Sequence, residues 1–142
     1  MTAPEESLSL LVGRSAKALG RAFDDVLTAA GGSTPTWQVL LALSTGEHRT
    51  QGDLAEAVGV RQPTLVHHLD ALERAGLVTR ARADGNRRVQ RVTVTKAGEA
   101  LFLRLRRAAA SFDGRLRAGL ADADVADLRR LLAQLTENAR PD

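Results

Sequence analysis

Apolar side chains recur at three- and four-residue intervals near the start of the chain: Leu8, Leu11, Val12, Leu19, Phe23, Val26 and Leu27, with Ala16 and Ala30 between them. That spacing, sustained over about six turns, predicts one long amphipathic helix. Gly31-Gly32 ends it. Thr34 and Pro35 then supply an N-cap and a first-turn proline for a second helix carrying Trp37, Leu40, Leu41 and Leu43. Ser44-Thr45-Gly46 stops that helix.

The stretch from Thr50 to Leu77 carries the most information. Thr50 with Asp53 forms a capping box for a short helix whose Leu54, Ala55 and Val58 face inward, and Gly59 closes it where a left-handed residue is wanted. Val60 plugs the turn. A third helix opens with Pro63 in its first turn and runs through Leu65, Leu69 and Leu72 to a stop at Gly76. Two helices joined across so tight a glycine turn make a helix-turn-helix. Leu77 to Ala83 and Val89 to Val94 are short segments rich in Val, Thr and Arg, joined across Asp84-Gly85-Asn86, the chemistry of a β-hairpin turn. Val92 and Val94 alternate with Arg91 and Thr93, so one face of the second strand packs and the other meets solvent. A helix-turn-helix followed directly by such a hairpin is a winged helix. Two further helices follow. Thr95 caps one bearing Leu101, Leu105, Ala109, Phe112, Leu116 and Leu120, and Asp122 caps one bearing Val125, Leu128, Leu131, Leu132 and Leu135.

Charge sharpens this picture. Residues 1 to 73 hold five basic residues against nine acidic, a net −4; residues 74 to 96 hold seven against one, a net +6; the remainder is nearly balanced at +1. The basic excess therefore falls on the predicted hairpin, with Arg80, Arg82, Arg87, Arg88 and Arg91, and a local block of this kind is the electrostatic footprint of a nucleic-acid contact. A solvated charged face is the competing explanation.

Composition mostly excludes. With 142 residues the chain fits one domain, and with no cysteine it has no disulfide, thiol nucleophile or Cys-ligated metal. No apolar run approaches ~18 residues, and Met1 to Glu6 is acidic where a signal peptide would be basic, so a cytoplasmic protein without a membrane partner is expected. His67-His68 with His48 does not make a metal site: adjacent helical histidines point about 100° apart, and no carboxylate stands four residues on from either. Neither Ser-His-Asp spacing nor a Gly-rich phosphate loop is present, so no catalysis and no cofactor are expected. The long terminal helices carry more apolar surface than a small winged lobe can cover, which points to a second copy of the same chain as their cover.

The order of elements and the residues themselves resemble the MarR family of bacterial winged-helix regulators. The resemblance runs through Leu54-Ala55-Glu56-Ala57-Val58-Gly59-Val60-Arg61-Gln62-Pro63-Thr64-Leu65 and Leu69-Asp70-Ala71-Leu72-Glu73-Arg74-Ala75-Gly76-Leu77-Val78. It continues at Asp84, Arg87, Arg88 and Val94-Thr95-Lys96-Ala97-Gly98. It implies a single domain over 1–142, mainly α with a small β-hairpin wing. A winged helix-turn-helix lobe would occupy 34–95, and residues 1–33 and 96–142 would supply dimerisation helices. It further implies a homodimer that binds double-stranded DNA at a pseudopalindromic operator, commonly as a repressor released by a phenolic or other apolar small molecule. Three positions depart from the family pattern: Arg61 stands where a serine usually caps the recognition helix, His67 replaces an arginine, and the wing is about one residue short between Asp84 and Thr95.

Projecting the third helix at about 100° per residue sets Arg61, Leu65, His68, Leu69 and Leu72 on one arc and Pro63, Thr64, Val66, His67, Asp70 and Ala71 on the other. The second arc is expected to face the major groove, with Gln62 at its edge able to read adenine, Thr64 and His67 beside it, and Arg61 on a phosphate. Arg82, Arg87 and Arg88 are expected at the wing, either adjacent arginine being able to enter the minor groove, with Asp84 orienting one of them. Candidate effector-lining residues are Trp37, Phe23, Arg14, His48 and Phe112. A winged module for sequence-neutral DNA binding or for protein contact is the alternative.

Overall fold

The computed structural model describes residues 4–46, 50–82 and 90–142, together with side chains throughout those segments except at Arg82 and Gln90. Among these described residues, six helices and one hairpin follow in chain order: α1 (Leu8–Ala29), α2 (Thr34–Thr45), α3 (Gln51–Val58), α4 (Gln62–Arg74), β1 (Val78–Arg82), β2 (Gln90–Val94), α5 (Lys96–Leu116) and α6 (Asp122–Asn138). The predicted mainly helical fold with a hairpin wing is the observed one. β1 and β2 pair antiparallel with Val78 opposite Val94, Arg80 opposite Val92 and Arg82 opposite Gln90. The expected hairpin turn at Asp84-Gly85-Asn86 lies outside the described residues.

The chain divides into two compact units, residues 1–109 and 110–142. In the first, one core gathers Leu27 of α1, Val39, Leu40 and Ala42 of α2, Leu54 and Ala55 of α3, Leu65, Leu69 and Leu72 of α4, Val78 of β1, and Leu101 and Leu105 of α5. Each fully buried leucine contributes about 1.5–3 kcal/mol relative to exposure, so this cluster is what fixes α4. In the second unit the end of α5 turns through Gly119, at φ +80°, into α6. Asp113 pairs with Arg117 at 2.8 Å, and the Arg115 guanidinium lies 5.5 Å above the Phe112 ring.

The local signals of the helix-turn-helix are realised atom by atom. The Asp53 backbone N–H donates to the Thr50 hydroxyl at 3.0 Å and the Thr50 N–H donates to the Asp53 carboxylate at 3.2 Å. Gly59, at φ +83°, closes α3 with its N–H on the Ala55 carbonyl, a conformation that costs a residue with a Cβ about 1 kcal/mol or more. Thr95 does cap α5: its hydroxyl accepts from the Gly98 N–H at 3.1 Å and donates to the Gly76 carbonyl at 2.6 Å.

Two local expectations, both of helix caps, are corrected. Ser33, not Thr34, caps α2, its hydroxyl accepting from the Thr36 N–H at 3.2 Å. Thr34 is instead the first helical residue, and both its N–H and its hydroxyl donate to the Asp24 carboxylate of α1 at 2.9 Å. On α2 the run Val39-Leu40-Leu41-Ala42-Leu43 is apolar all round, so periodicity could not orient it: Val39, Leu40 and Ala42 are buried, whereas Leu41 is exposed. At α6 the cap position is Ala121, whose N–H donates to the Asp124 carboxylate at 2.8 Å, and Asp122 is already helical.

The two Thr34 bonds, the backbone one foremost, hold the Asp24 carboxyl below its ordinary value. A depressed carboxylate stabilises the fold fully above its unfolded pKa, near 4, and loses that contribution as pH falls through the lower folded value. Urea midpoints of wild type and Asp24→Asn should therefore differ near neutrality, with wild type the more stable, and converge at strongly acid pH. A difference that persists undiminished in acid would contradict this.

Candidate nucleic-acid interface

α4 sits with one side on the core and the other in solvent. Leu65, Leu69 and Leu72 are at most 4% exposed and His68 is half-buried, while Pro63, Thr64, His67, Asp70 and Ala71 are all exposed. The helical projection thus assigns both faces as observed, except that Val66 is half-buried and Arg61, grouped with the inner arc, is exposed. Arg61 occupies the N-cap position with extended backbone and makes no side-chain cap bond. The first-turn N–H groups at the exposed end of α4 consequently lack a side-chain acceptor from the cap, and the positive end of the helix dipole is presented beside a cation. Arg61, Gln62, Pro63, Thr64 and His67 are thereby brought together at one end and one side of α4.

Gln62 has a seat that periodicity does not reveal. A Cβ built on Gly52, in the first turn of α3, would lie 2.7 Å from the Gln62 Nε2, so the bare glycine leaves room for that amide. Alanine is the better helix former by up to ~1 kcal/mol, and the obstructing atom is the far end of a flexible side chain. Gly52→Ala should therefore fold at least as stably as wild type while displacing the Gln62 side-chain NH2 resonances in a 15N spectrum. Unmoved resonances would mean that Gln62 does not rest there.

The hairpin base is tied to α4 by charge. The Arg80 guanidinium pairs with Asp70, and lies 3.3 Å from Glu73, while the Arg80 backbone N–H donates to the same Glu73 carboxylate at 3.0 Å. The Glu73 hydrogen bond above all raises the Arg80 pKa, partial burial opposing it and Asp70 adding to it. The helical period places Asp70 on the outer arc and the hairpin pattern places Arg80 in the wing, but nothing local in the sequence signals that they meet. Along β2, Arg91 and Thr93 are exposed and Val92 and Val94 half-buried, the alternation that was expected. The Arg82 side chain and Asp84, Arg87 and Arg88 lie outside the described residues.

Of the effector candidates, Trp37 and Phe23 pack against the core of the first unit. Trp37 stacks on Phe102, ring centroids 5.4 Å apart and planes 19° from parallel, a partner that sequence reading did not name. Arg14 is exposed and pairs with Glu6 at 2.7 Å. Phe112, 6% exposed, belongs to the second unit. His48 lies outside the described residues.

Known proteins place this architecture. A family model described as MarR family matches residues 31–89, which spans the helix-turn-helix and β1. The transcriptional regulator PA3341 is 30% identical over 93% of this chain and 97% of its own, with a TM-score of 0.78. The chain belongs to the MarR family. Among MarR-like structures, the M. tuberculosis transcriptional regulator MosR, solved in complex with DNA, is 26% identical with a TM-score of 0.75, covering 96% of this chain and 100% of its own. The transcriptional repressor CouR, solved bound to p-coumaroyl-CoA, is 25% identical with a TM-score of 0.80, over 92% of this chain and 91% of its own. The protein is accordingly a MarR-family, DNA-binding winged-helix transcriptional regulator. Among the described residues, no helix is long and apolar enough to cross a membrane.

Proposed function

We propose that this regulator is a homodimeric, ligand-responsive repressor that binds a pseudopalindromic operator. The observation that carries this reading is the exposed N-terminal end of α4, with Arg61, Gln62, Thr64 and His67 held outward by Leu65 and Leu69. Thr64 and His67, with Gln62 at their edge, meet base edges in the major groove, Pro63 sets the helix start against the DNA, and Arg61 takes a phosphate. Arg82, Arg87 and Arg88 contact the flanking minor groove or its phosphates, with Asp84 orienting one guanidinium. A DNA complex of MosR supports the mode of action.

The dimer is supported by apolar surface that one chain leaves in water. Leu8, Leu10, Leu11 and Leu19 of α1 and Leu128, Leu131 and Leu132 of α6 are all at least 41% exposed. Single exposed leucines are ordinary, but rows of them on two helices are an interface signal. Sedimentation at micromolar concentration should give about twice the 15.2 kDa of one chain. Selection from a random DNA library should return inverted half-sites about one helical turn apart, centre to centre. A stable monomer that binds DNA, or recovered sequences without two-fold symmetry, would overturn the operator model.

A phenolic or acylated phenolic effector is supported by CouR with its p-coumaroyl-CoA and by the aromatic pair Trp37 and Phe102. Trp37 is the single tryptophan of the chain. Titration with p-coumaroyl-CoA or with a simple phenolic acid should change Trp37 emission and release operator DNA together. Emission and DNA binding that both ignore such compounds would exclude this class of effector.

A further inference from the structure

Arg80 is the one wing arginine that the described structure binds to α4, and the pairing turns its donors onto that helix. Its side chain is only 17% exposed, and its Nε and Nη2 donors are turned onto Glu73 and Asp70. The two carboxylates sit one turn apart on α4, and Asp70 shares the exposed arc with Thr64 and His67. An uncompensated carboxylate on that arc would repel phosphates, because like charges at a surface interact over distances up to the ~8–10 Å screening length. The same carboxylate of Glu73 also accepts the Arg80 backbone N–H. That bond fixes strand β1, and through its pairing with β2 the base of the wing, relative to α4.

We infer that Arg80 is a positioning residue for DNA binding: it cancels the charge of Asp70 and Glu73 on the helix that meets DNA and pins the wing strand to that helix, and it makes no DNA contact itself. The inference rests on the reading of α4 as the DNA-reading helix. It separates Arg80 from the other described basic residues of the segment, among them Arg91, whose side chain is exposed on β2. Charge count alone would rank all of them together.

A thermodynamic cycle tests it. Affinity for the library-selected operator is measured at one fixed salt concentration for wild type, Arg80→Met, the double variant Asp70→Asn/Glu73→Gln, and the triple variant. Arg80→Met should weaken binding about tenfold in the wild-type background, the scale of one or two screened like-charge contacts. In the Asp70→Asn/Glu73→Gln background the same substitution should change affinity by less than about twofold, because there is no charge left to cancel. An equal loss in both backgrounds would make Arg80 a direct DNA contact and overturn the inference, as would no loss in either. Circular dichroism and urea midpoints accompany each variant. Where Arg80→Met depopulates the fold, Arg80→Gln repeats the cycle, since it removes the charge while keeping a hydrogen-bond donor for Glu73. Wild type that shows no salt-dependent binding to any DNA would instead sink the DNA-reading role of α4, an outcome distinct from the failure of the Arg80 cycle.

Discussion

Leu65→Ala is expected to lose about 2–5 kcal/mol of folding stability, the usual range for deleting a buried leucine and leaving a cavity behind. Leu65 is 0% exposed and belongs to the core that unites α1 to α5 with β1. Against a total of ~5–15 kcal/mol for a domain, such a loss takes a large share. The functional consequence follows from position: Leu65 lies directly after Thr64, on the core side of α4, so the cavity loosens the seat of the outward face. Urea denaturation should show the fall in midpoint, and DNA affinity should drop even where most molecules remain folded. A midpoint within the error of wild type would show that α4 is held by something other than this core.

The second large effect is expected at Gly98. A Cβ there would lie 2.1 Å from the Leu77 carbonyl oxygen and 2.7 Å from Val94 Cγ1. The first obstacle is backbone, which cannot rotate aside, and the Leu77 carbonyl also accepts the Thr95 N–H at 3.0 Å. Gly98→Ala must therefore push the first turn of α5 away from the base of the hairpin, at about 2–3 kcal/mol for an overpacked site. The helix propensity gained by alanine, up to ~1 kcal/mol, offsets only part of this. Because the displaced turn abuts both Leu77 and Val94, the wing moves with it, and DNA binding should weaken beyond what the lost stability explains. Wild-type stability in Gly98→Ala would show that the close approach at Leu77 relaxes at no cost.

What the sequence disclosed and what it withheld divide along sequence separation. Thr50 with Asp53, Gly59 after Val58, and Thr95 with Gly98 act within three or four residues, so the chemistry of each cap could be read directly. The two faces of α4 were legible for the same reason, because its leucines recur with the helical period and its outer positions are short or polar. Contacts that span the fold left no such trace. Thr34 has the residue type of a cap, but Asp24, ten residues earlier, claims its hydroxyl and leaves the cap to Ser33. Trp37 meets Phe102 only once α5 is laid against the core. Gly52 and Gln62 likewise become neighbours only when α3 and α4 pack. On α2, five successive apolar residues removed the periodicity that would have told Leu41 from Val39.

Base reading by the exposed end of α4 is checked by measuring how Gln62 discriminates between operators. Wild type and Gln62→Ala would be titrated, at one salt concentration, with the selected operator and with operators carrying each single base-pair change in a half-site. Gln62→Ala should lose about 1–3 kcal/mol on the unaltered operator, with relaxed preference at one position per half-site and unchanged preference elsewhere. Equal weakening on every sequence, random DNA included, would make Gln62 a backbone contact and contradict base reading by this end of α4.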